Sequence, residues 1–197
     1  MLPLRPGVLL AAFLLVPPSL PAAPGYYLTG SPADARPAAT RAGLMLSGGG
    51  GEVDPAFRWF IACAGGGDIV VLRSTEDDHY HDYLYRQLGG VDSVETFVIH
   101  ERADASDPRV LAGIARAEGI FLAGGDQSTY VRRWQDTPLA AALADHVRAG
   151  RPLGGTSAGL AVLGEYCFAA LEPGSLTSPL ALADPFDPQV TLVTGFL

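Results

Sequence analysis

Short apolar runs alternate with longer amphipathic stretches along most of this chain, and no other sequence feature constrains the fold as strongly. A continuous β-branched run such as residues 68–72 is typical of a strand buried on both faces. Segments with helical spacing of apolar residues separate successive runs. Strands that alternate with helices predict an α/β fold with a doubly wound, mostly parallel sheet. The predicted strands are residues 44–46, 68–72, 94–99, 119–123, 152–154 and 190–193.

The helix boundaries follow from capping residues. Asp54 and Asp107 each precede a proline, a pair typical of an N-cap followed by the first helical position. Gly150 is expected to end a helix that begins at residue 138. Residues 172–187 are rich in proline, serine and aspartate and are predicted to form a loop. The predicted helices are residues 54–63, 80–88, 108–117, 128–134 and 138–149.

Glycine-rich loops directly follow the predicted strands at residues 48–51, 124–125 and 154–159. The carboxyl ends of parallel strands lie at one edge of a sheet, where open α/β proteins bind their ligands. We therefore expect the three loops to converge there. This convergence is the strongest argument from the sequence for a functional site.

The third loop contains Gly155-Thr156-Ser157-Ala158-Gly159, which fits the G-x-S-x-G pattern of a nucleophile elbow. In such an elbow the serine occupies a sharp strand-to-helix turn, and backbone N–H groups beside it stabilise an oxyanion. The alternative is a tight turn or a phosphate cradle, since glycine loops before helices also bind phosphate. The P-loop pattern G-x-x-x-x-G-K-[S/T] does not occur in the chain.

A serine nucleophile needs a base, and the chain has four histidines, none of which follows Ser157. His100 ends a predicted strand at the correct edge and is the candidate base. His146 lies in a helical pattern and is expected on a solvated face. The segment around residue 80 contains residue types that can bind a metal, namely His79 and His81 with Asp77, Asp78 and Asp82. A mobile acidic loop is the favoured interpretation. No metal and no cofactor is therefore expected.

The chain length and composition fit one globular domain. Of 197 residues, 48% are apolar and 17% charged. The formal net charge of −8 argues against nucleic-acid binding, because no basic run is present. The negative charge is compatible with a cationic substrate, and a homodimer is left open.

Residues 1–23 are predicted to be an export signal. Arg5 precedes the apolar run 8–16, and small residues follow at Ala22 and Ala23. The apolar run is too short to span a bilayer. The alternative is an apolar arm of a cytosolic protein. Residues 24–197 would then form a single exported domain, periplasmic or extracellular, without a stable membrane span.

Two cysteines, Cys63 and Cys167, are too few for a disulfide framework. Both lie in apolar patterns predicted to be helical, where buried free thiols are the more common outcome. Pairing of the two in an exported protein is the alternative.

The segments Gly48-Gly49-Gly50, Phe121-Leu122-Ala123-Gly124-Gly125-Asp126-Gln127 and Gly155-Thr156-Ser157-Ala158-Gly159 resemble those of the cyanophycinase and aspartyl-dipeptidase family of serine peptidases. The similarity is to the exported cyanophycinase-like members in particular, and it extends from about residue 26 to residue 197. The resemblance implies a class I glutamine-amidotransferase-like fold, a flavodoxin-like three-layer sandwich. It also implies an exopeptidase that cuts cyanophycin, a polyaspartate with arginine branches, into β-aspartyl-arginine dipeptides.

The resemblance further implies a role for individual residues. Ser157 would be the nucleophile, and Asp126 and Gln127 would bind substrate. The oxyanion hole would be formed by Gly49, Gly50, Gly51 and Ala158.

In the family, a strand bearing the catalytic histidine and an arginine-containing stretch come after the position of residue 197. Leu180 stands where some relatives have an acidic residue. The resemblance therefore implies that the domain is truncated at its C-terminus, with an exposed sheet edge prone to aggregation. The alternative to a peptidase is a binding module of the same fold that lacks the histidine.

Overall fold

The fold is described by a computed structural model that covers residues 23–37, 39–75, 78–174 and 176–197. The predicted export signal lies outside these residues except for Ala23. No helix among the described residues is both long and apolar enough to cross a bilayer.

The main feature of the fold is a six-stranded sheet with the order β1-β4-β3-β5-β6-β2. Strand β1 pairs with β4 antiparallel, and the other neighbours are parallel. The prediction of an α/β, mostly parallel sheet is confirmed, although β1 was not predicted. The strands are β1 (Gly25–Gly30), β2 (Leu44–Ser47), β3 (Asp68–Arg73), β4 (Ser93–Val98), β5 (Gly119–Leu122) and β6 (Leu153–Thr156).

Helices connect the strands. They are α1 (Asp54–Cys63), α2 (His79–His81), α3 (Pro108–Arg116), α4 (Gln127–Trp134), α5 (Pro138–Arg148), α6 (Ala158–Ala161) and α7 (Ser178–Ala183). A π-helix, Asp82–Leu88, continues α2, and a 3₁₀ helix, Arg102–Ser106, precedes α3. Two short strands, β7 (Tyr166–Phe168) and β8 (Leu192–Thr194), pair antiparallel beside the main sheet.

Alternate residues of β3 pack into two apolar clusters on opposite faces of the sheet. Val70 and Leu72 join the cluster that contains residues of α3, α4 and α5. Ile69 and Val71 join the cluster that contains residues of α1 and the π-helix. All six residues of β3 are buried, as predicted for a strand covered on both faces. The result is a three-layer arrangement with the sheet in the middle.

Asp107 and Gly150 are placed as predicted. The Asp107 side chain accepts a hydrogen bond from Arg109 N at the start of α3. Gly150 adopts a positive φ of 75° directly after α5. Asp54 was predicted wrongly: Val53 is the N-cap of α1, and Asp54 Oδ1 instead accepts a hydrogen bond from the Tyr83 hydroxyl at 2.9 Å.

His146 was also predicted wrongly, because its side chain is buried rather than solvated. It lies on the same face of α5 as Leu139 and Leu143, at helical spacing, and that face packs on the sheet. Its Nε2–H donates to the Pro152 carbonyl at 2.9 Å, so a hydrogen bond compensates part of the burial. Burial lowers the pKa of His146 to about 4.

Two further corrections concern the C-terminal part. Cys167 lies on β7 and not on a helix, and both it and Cys63 are buried free thiols. The predicted loop 172–187 contains α7, in which Pro179 occupies the first turn and no residue is buried. The alternating leucine and alanine residues that follow Pro179 favour a helical turn there.

Candidate active site

Ser157 occupies the turn between β6 and α6. Its backbone has φ 52° and ψ −117°, a conformation that residues with a Cβ rarely adopt. Its N–H donates to the Ser47 carbonyl at 3.0 Å, which ties the turn to the end of the neighbouring strand β2. The side chain is exposed. The predicted sharp strand-to-helix turn is therefore present.

The two outer glycines of the G-x-S-x-G pattern are required by close backbone packing. A Cβ at Gly155 would lie 2.6 Å from the carbonyl carbon and oxygen of Gly159. A Cβ at Gly159 would lie 2.2 Å from the carbonyl oxygen of Leu122 on β5. The glycines thus allow the elbow to press against its own helix and against the adjacent strand.

The three glycine-rich loops converge on Ser157, as the parallel sheet predicts. They enclose a cavity of about 240 Å³ at the carboxyl edge of the strands. The residues that line it are Gly49, Gly50, Arg73, His79, Tyr80, Ala123, Gly124, Thr156 and Ser157.

Gly49 is the backbone neighbour of the serine side chain. A Cβ placed at Gly49 would be 3.2 Å from Ser157 Cβ and 3.5 Å from Ser157 Oγ. Gly49 and Gly50 have φ values of 95° and 86°, which favour glycine. Both line the cavity beside Ser157. Ala158 is buried immediately after the serine. The roles of Gly49, Gly50, Gly51 and Ala158 in an oxyanion hole stay predictions.

Asp126 and Gln127 begin α4 beside the cavity. The Asp126 carboxylate accepts a hydrogen bond from Ser128 N at 2.8 Å and so caps the helix. Gln127 is half-buried. Neither is among the described residues that line the cavity. Their predicted role in substrate binding stays a prediction.

The histidines lie in positions that differ from those predicted. His79 lines the cavity, and its Nε2 is 3.5 Å from Glu52 Oε1. His100 follows β4, which is separated from β6 by β3 and β5, so about 14 Å separates the two strands. The geometry therefore does not favour His100 as the base for Ser157.

His81 is buried on the face of the sheet that carries α1. Its Nδ1 contacts Thr29 Oγ1 at 2.9 Å and its Nε2 contacts Thr96 Oγ1 at 2.8 Å. Both ring nitrogens are thus engaged between β1 and β4. Within the described ranges no group of three or more His, Cys, Asp and Glu side chains could hold a metal ion. Asp77 lies outside those ranges.

Besides His79, the sequence analysis did not identify Arg73, Tyr80 and Tyr130 as residues that shape the cavity. Tyr80 packs on Phe121 with ring centroids 4.9 Å apart and forms one wall. The Tyr130 hydroxyl donates to the carbonyls of Ala123 and Gly124 at 2.8 and 3.1 Å. These hydrogen bonds fix the start of the second glycine loop. Burial raises the pKa of Tyr130, and the charge of Arg73 opposes that rise.

A signal for Arg73 was present in the sequence. It is a cation directly after a continuous apolar strand, at the edge where the glycine loops were predicted to meet. The two tyrosines gave no comparable signal, since an aromatic side chain in an apolar pattern is typical of any core.

The comparison with family models completes this description. The model of peptidase family S51 matches residues 70–176, which include most of β3, the second glycine loop and the serine elbow. The chain belongs to peptidase family S51. The resemblance inferred from the glycine motifs is thereby confirmed at the level of the family.

Similar proteins share the name cyanophycinase. The chain is 38% identical over 141 residues to cyanophycinase from Synechococcus elongatus, which covers 65% of this chain and 43% of that protein. It is 31% identical over 124 residues to cyanophycinase from Geminocystis herdmanii, which covers 58% of this chain and 45% of that protein. The chain thus spans less than half the length of these curated relatives.

Among solved structures, a peptidase from an acI-B1 actinobacterium superposes with a TM-score of 0.50 and 24% sequence identity. The match covers 63% of this chain and 57% of that chain. It supports the α/β fold with a flavodoxin-like sheet.

Proposed function

We propose that this protein is a serine-type exopeptidase that cleaves cyanophycin or related aspartyl peptides into dipeptides of the β-aspartyl-arginine type. Ser157 Oγ would attack the scissile carbonyl to form an acyl-enzyme, which water then hydrolyses. The N–H groups of the loop 49–51 and of Ala158 would stabilise the oxyanion. Membership of family S51 and the cyanophycinases among its relatives support this reaction class.

One observation carries the proposal: the backbone conformation of Ser157. A non-glycine residue held at φ 52° and ψ −117° is strained, and residues strained in this way cluster at active sites. A simple tight turn would be built more favourably with glycine at this position. Here the turn instead presents an exposed hydroxyl to a cavity walled by two other glycine loops.

Attack by Ser157 also needs a base, and two candidates can be separated experimentally. Within the described residues, His79 supplies an imidazole to the cavity, and Glu52 is positioned to orient it. The resemblance instead expects a histidine from a later strand. If His79→Ala lowers the rate of serine acylation about 100-fold or more, His79 is the base. A rate that stays within a few-fold excludes His79 as the base.

The direct test is the release of product. The full chain is incubated with cyanophycin, and soluble β-aspartyl-arginine is quantified by mass spectrometry. We expect release that disappears in Ser157→Ala. Equal release by the variant would exclude the serine mechanism, and tight binding of substrate without release would favour the binding module.

We also propose, on the basis of the signal pattern in residues 1–23, that the protein is exported. Fractionation of cells that produce the chain tests this proposal.

A further inference from the structure

We propose that a groove between β1 and α3 is a second binding site for the substrate polymer and holds its arginine-bearing arms at a distance from Ser157. The inference rests on the proposed function, because it concerns how the polymer named there is bound. Two adjoining cavities of about 460 and 310 Å³ form the groove, and they share Tyr26, Glu95 and Arg116. Cavities of this size are typical of sites for small ligands.

The groove lies at the opposite side of the sheet from the serine elbow. Strand β1 is the outermost strand there, and β4, β3 and β5 separate it from β6. Four strand spacings place the backbones of β1 and β6 about 19 Å apart. An extended chain advances about 3.3 Å per residue, so roughly six or more aspartyl residues are needed to span this distance. A polymer can therefore occupy the groove and the Ser157 cavity together, whereas a dipeptide cannot.

The side of the groove formed by the sheet is apolar and partly open. Tyr26 pairs in register with Phe97, and their ring centroids are 5.4 Å apart on the face that carries α3. Tyr26 is 46% exposed, and Leu28, two residues later on the same face, is also exposed. The methylene stem of an arginine packs on such a surface, and its guanidinium is attracted to the face of a tyrosine ring. The sheet thus offers a surface for an arginine arm.

Glu95 and Arg116 form an ion pair where the two cavities meet. Arg116 Nη2 donates to both carboxylate oxygens of Glu95 at 3.1 Å, and the Tyr26 hydroxyl donates to Glu95 Oε1 at 2.8 Å. These contacts hold the guanidinium in one orientation. A guanidinium has five N–H donors, and Nη2 carries two of them. The Arg116 side chain is 42% exposed, so the other donors are available to a carboxylate of the ligand.

The two ends of the groove carry opposite charges. Arg109, which pairs with Asp107 at 3.3 Å, lines the larger cavity together with Arg116. Asp34 lines the smaller cavity, and its carboxylate is 3.8 Å from Arg36 Nε in an exposed pair of little strength. Each arm of the polymer has one carboxylate and one guanidinium. The carboxylate fits the two arginines and the guanidinium fits Asp34, so the groove complements an arginine arm better than it complements a plain polyanion.

The experiment measures binding and not turnover. Fluorescence anisotropy in the Ser157→Ala background follows a labelled oligomer of about twelve aspartyl residues, each with an arginine arm, which is long enough to reach both sites. Ala112 lines the groove on α3, and Ala112→Phe fills the groove without removing a polar side chain. We expect this variant to bind the oligomer about tenfold or more weakly, because the second contact of the polymer is lost. Ala141→Phe adds the same ring at an exposed site on α5 and should bind as the Ser157→Ala protein does.

Further comparisons test the chemistry of the ligand. Polyaspartate of the same length has no arms, so Ala112→Phe should leave its binding unchanged. Arg109→Gln removes one cation of the groove and should weaken binding of the armed oligomer several-fold. Arg148→Gln removes an arginine whose side chain is 68% exposed on α5 and should bind normally. If Ala112→Phe does not fold by circular dichroism, Arg109→Gln against Arg148→Gln decides in the same way.

The proposal is overturned if Ala112→Phe and Ala141→Phe bind the armed oligomer equally well. It is also overturned if Ala112→Phe weakens the binding of polyaspartate as much as that of the armed oligomer, or if the armed oligomer does not bind at about 1 mM. Failure of the proposed function shows separately, as absence of product release from the chain that retains Ser157. Binding that depends on the groove, without release, would leave the second site intact and remove only the peptidase.

Discussion

Ser157 is one of three non-glycine residues with a positive φ among the described residues, with Asp136 and Ala170. At φ 52° and ψ −117° the residue is strained by roughly 1–3 kcal/mol. Ser157→Gly should relieve that strain at some cost in chain entropy and raise the free energy of unfolding by about 1 kcal/mol. Ser157→Ala keeps a Cβ and should leave stability almost unchanged. Urea unfolding of both variants measures the difference. Equal stabilities for the two would mean that the conformation stores no strain.

Gly159 tests the close approach of the elbow to β5. A methyl group there would meet the Leu122 carbonyl oxygen at 2.2 Å, so Gly159→Ala should lower the free energy of unfolding by about 3 kcal/mol. Gly48→Ala is the matched control, since a Cβ at Gly48 meets nothing within 4 Å. Urea unfolding of the two variants should separate them clearly. A Gly159→Ala protein as stable as the control would contradict the packing described for the elbow.

The sequence predicted the serine elbow well because its residues act locally. A G-x-S-x-G pattern after an apolar run specifies its own turn, and Ser157 was found where it was expected. Arg73, His79 and Tyr80 were not identified as cavity residues, because their positions depend on how distant loops fold over the sheet edge. His146 was misplaced for a related reason. A polar side chain within an apolar helical face can be buried when a nearby carbonyl, here that of Pro152, accepts its proton.

Among the elements, α5 contains the histidine that should make the free energy of unfolding depend most clearly on pH. The pKa of His146 is about 4 in the folded protein, below the value of 6.5 for a free histidine, so protons bind preferentially to the unfolded chain. The stability that this group contributes is complete above pH 6.5 and is lost as the pH falls towards 4. The full effect is about 3 kcal/mol. Burial also lowers the pKa of His81, which therefore acts in the same direction.

The test compares urea unfolding of His146→Gln with that of the unchanged chain between pH 7 and pH 4. Glutamine can still donate to the Pro152 carbonyl but does not titrate, so the loss of stability with falling pH should be less steep in the variant. Val147→Ala is the control at a partly exposed site on the same helix. It should change the free energy of unfolding by the same amount at every pH, so that the dependence on pH keeps its slope. An unchanged slope in His146→Gln would show that this histidine does not contribute.

Element boundaries were predicted closely where a strand or a helix carries its own signal, as in β3 and α3. Strand β1 was missed because it pairs antiparallel at the edge of the sheet and exposes every second residue. It pairs with β4 along its whole length, and the contacts of His81 with Thr29 and Thr96 also join the two strands, so its attachment depends on residues far apart in the chain. The π-helix was predicted as an ordinary helix, since the spacing of its apolar residues does not distinguish the two.

At the scale of the whole molecule, the sheet ends at β2, whose side chains alternate in exposure. Leu44 and Leu46 are 58% and 57% exposed, and a strand edge with exposed leucines favours association with other chains. Leu44→Lys combined with Leu46→Lys should therefore lower concentration-dependent association in sedimentation velocity. Leu182→Lys, which replaces an exposed leucine on α7, is the control and should have a smaller effect. Equal effects would show that the exposed leucines of β2 do not mediate the association.

The proposed peptidase activity depends on Ser157 being a reactive nucleophile in a folded chain. The most direct measurement is labelling with a fluorophosphonate, followed by mass spectrometry of the labelled peptide. We predict one label per chain on Ser157, lost in Ser157→Ala while His100→Ala labels normally. Absence of label on a chain that circular dichroism shows to be folded would contradict the account and leave a binding module on the same fold.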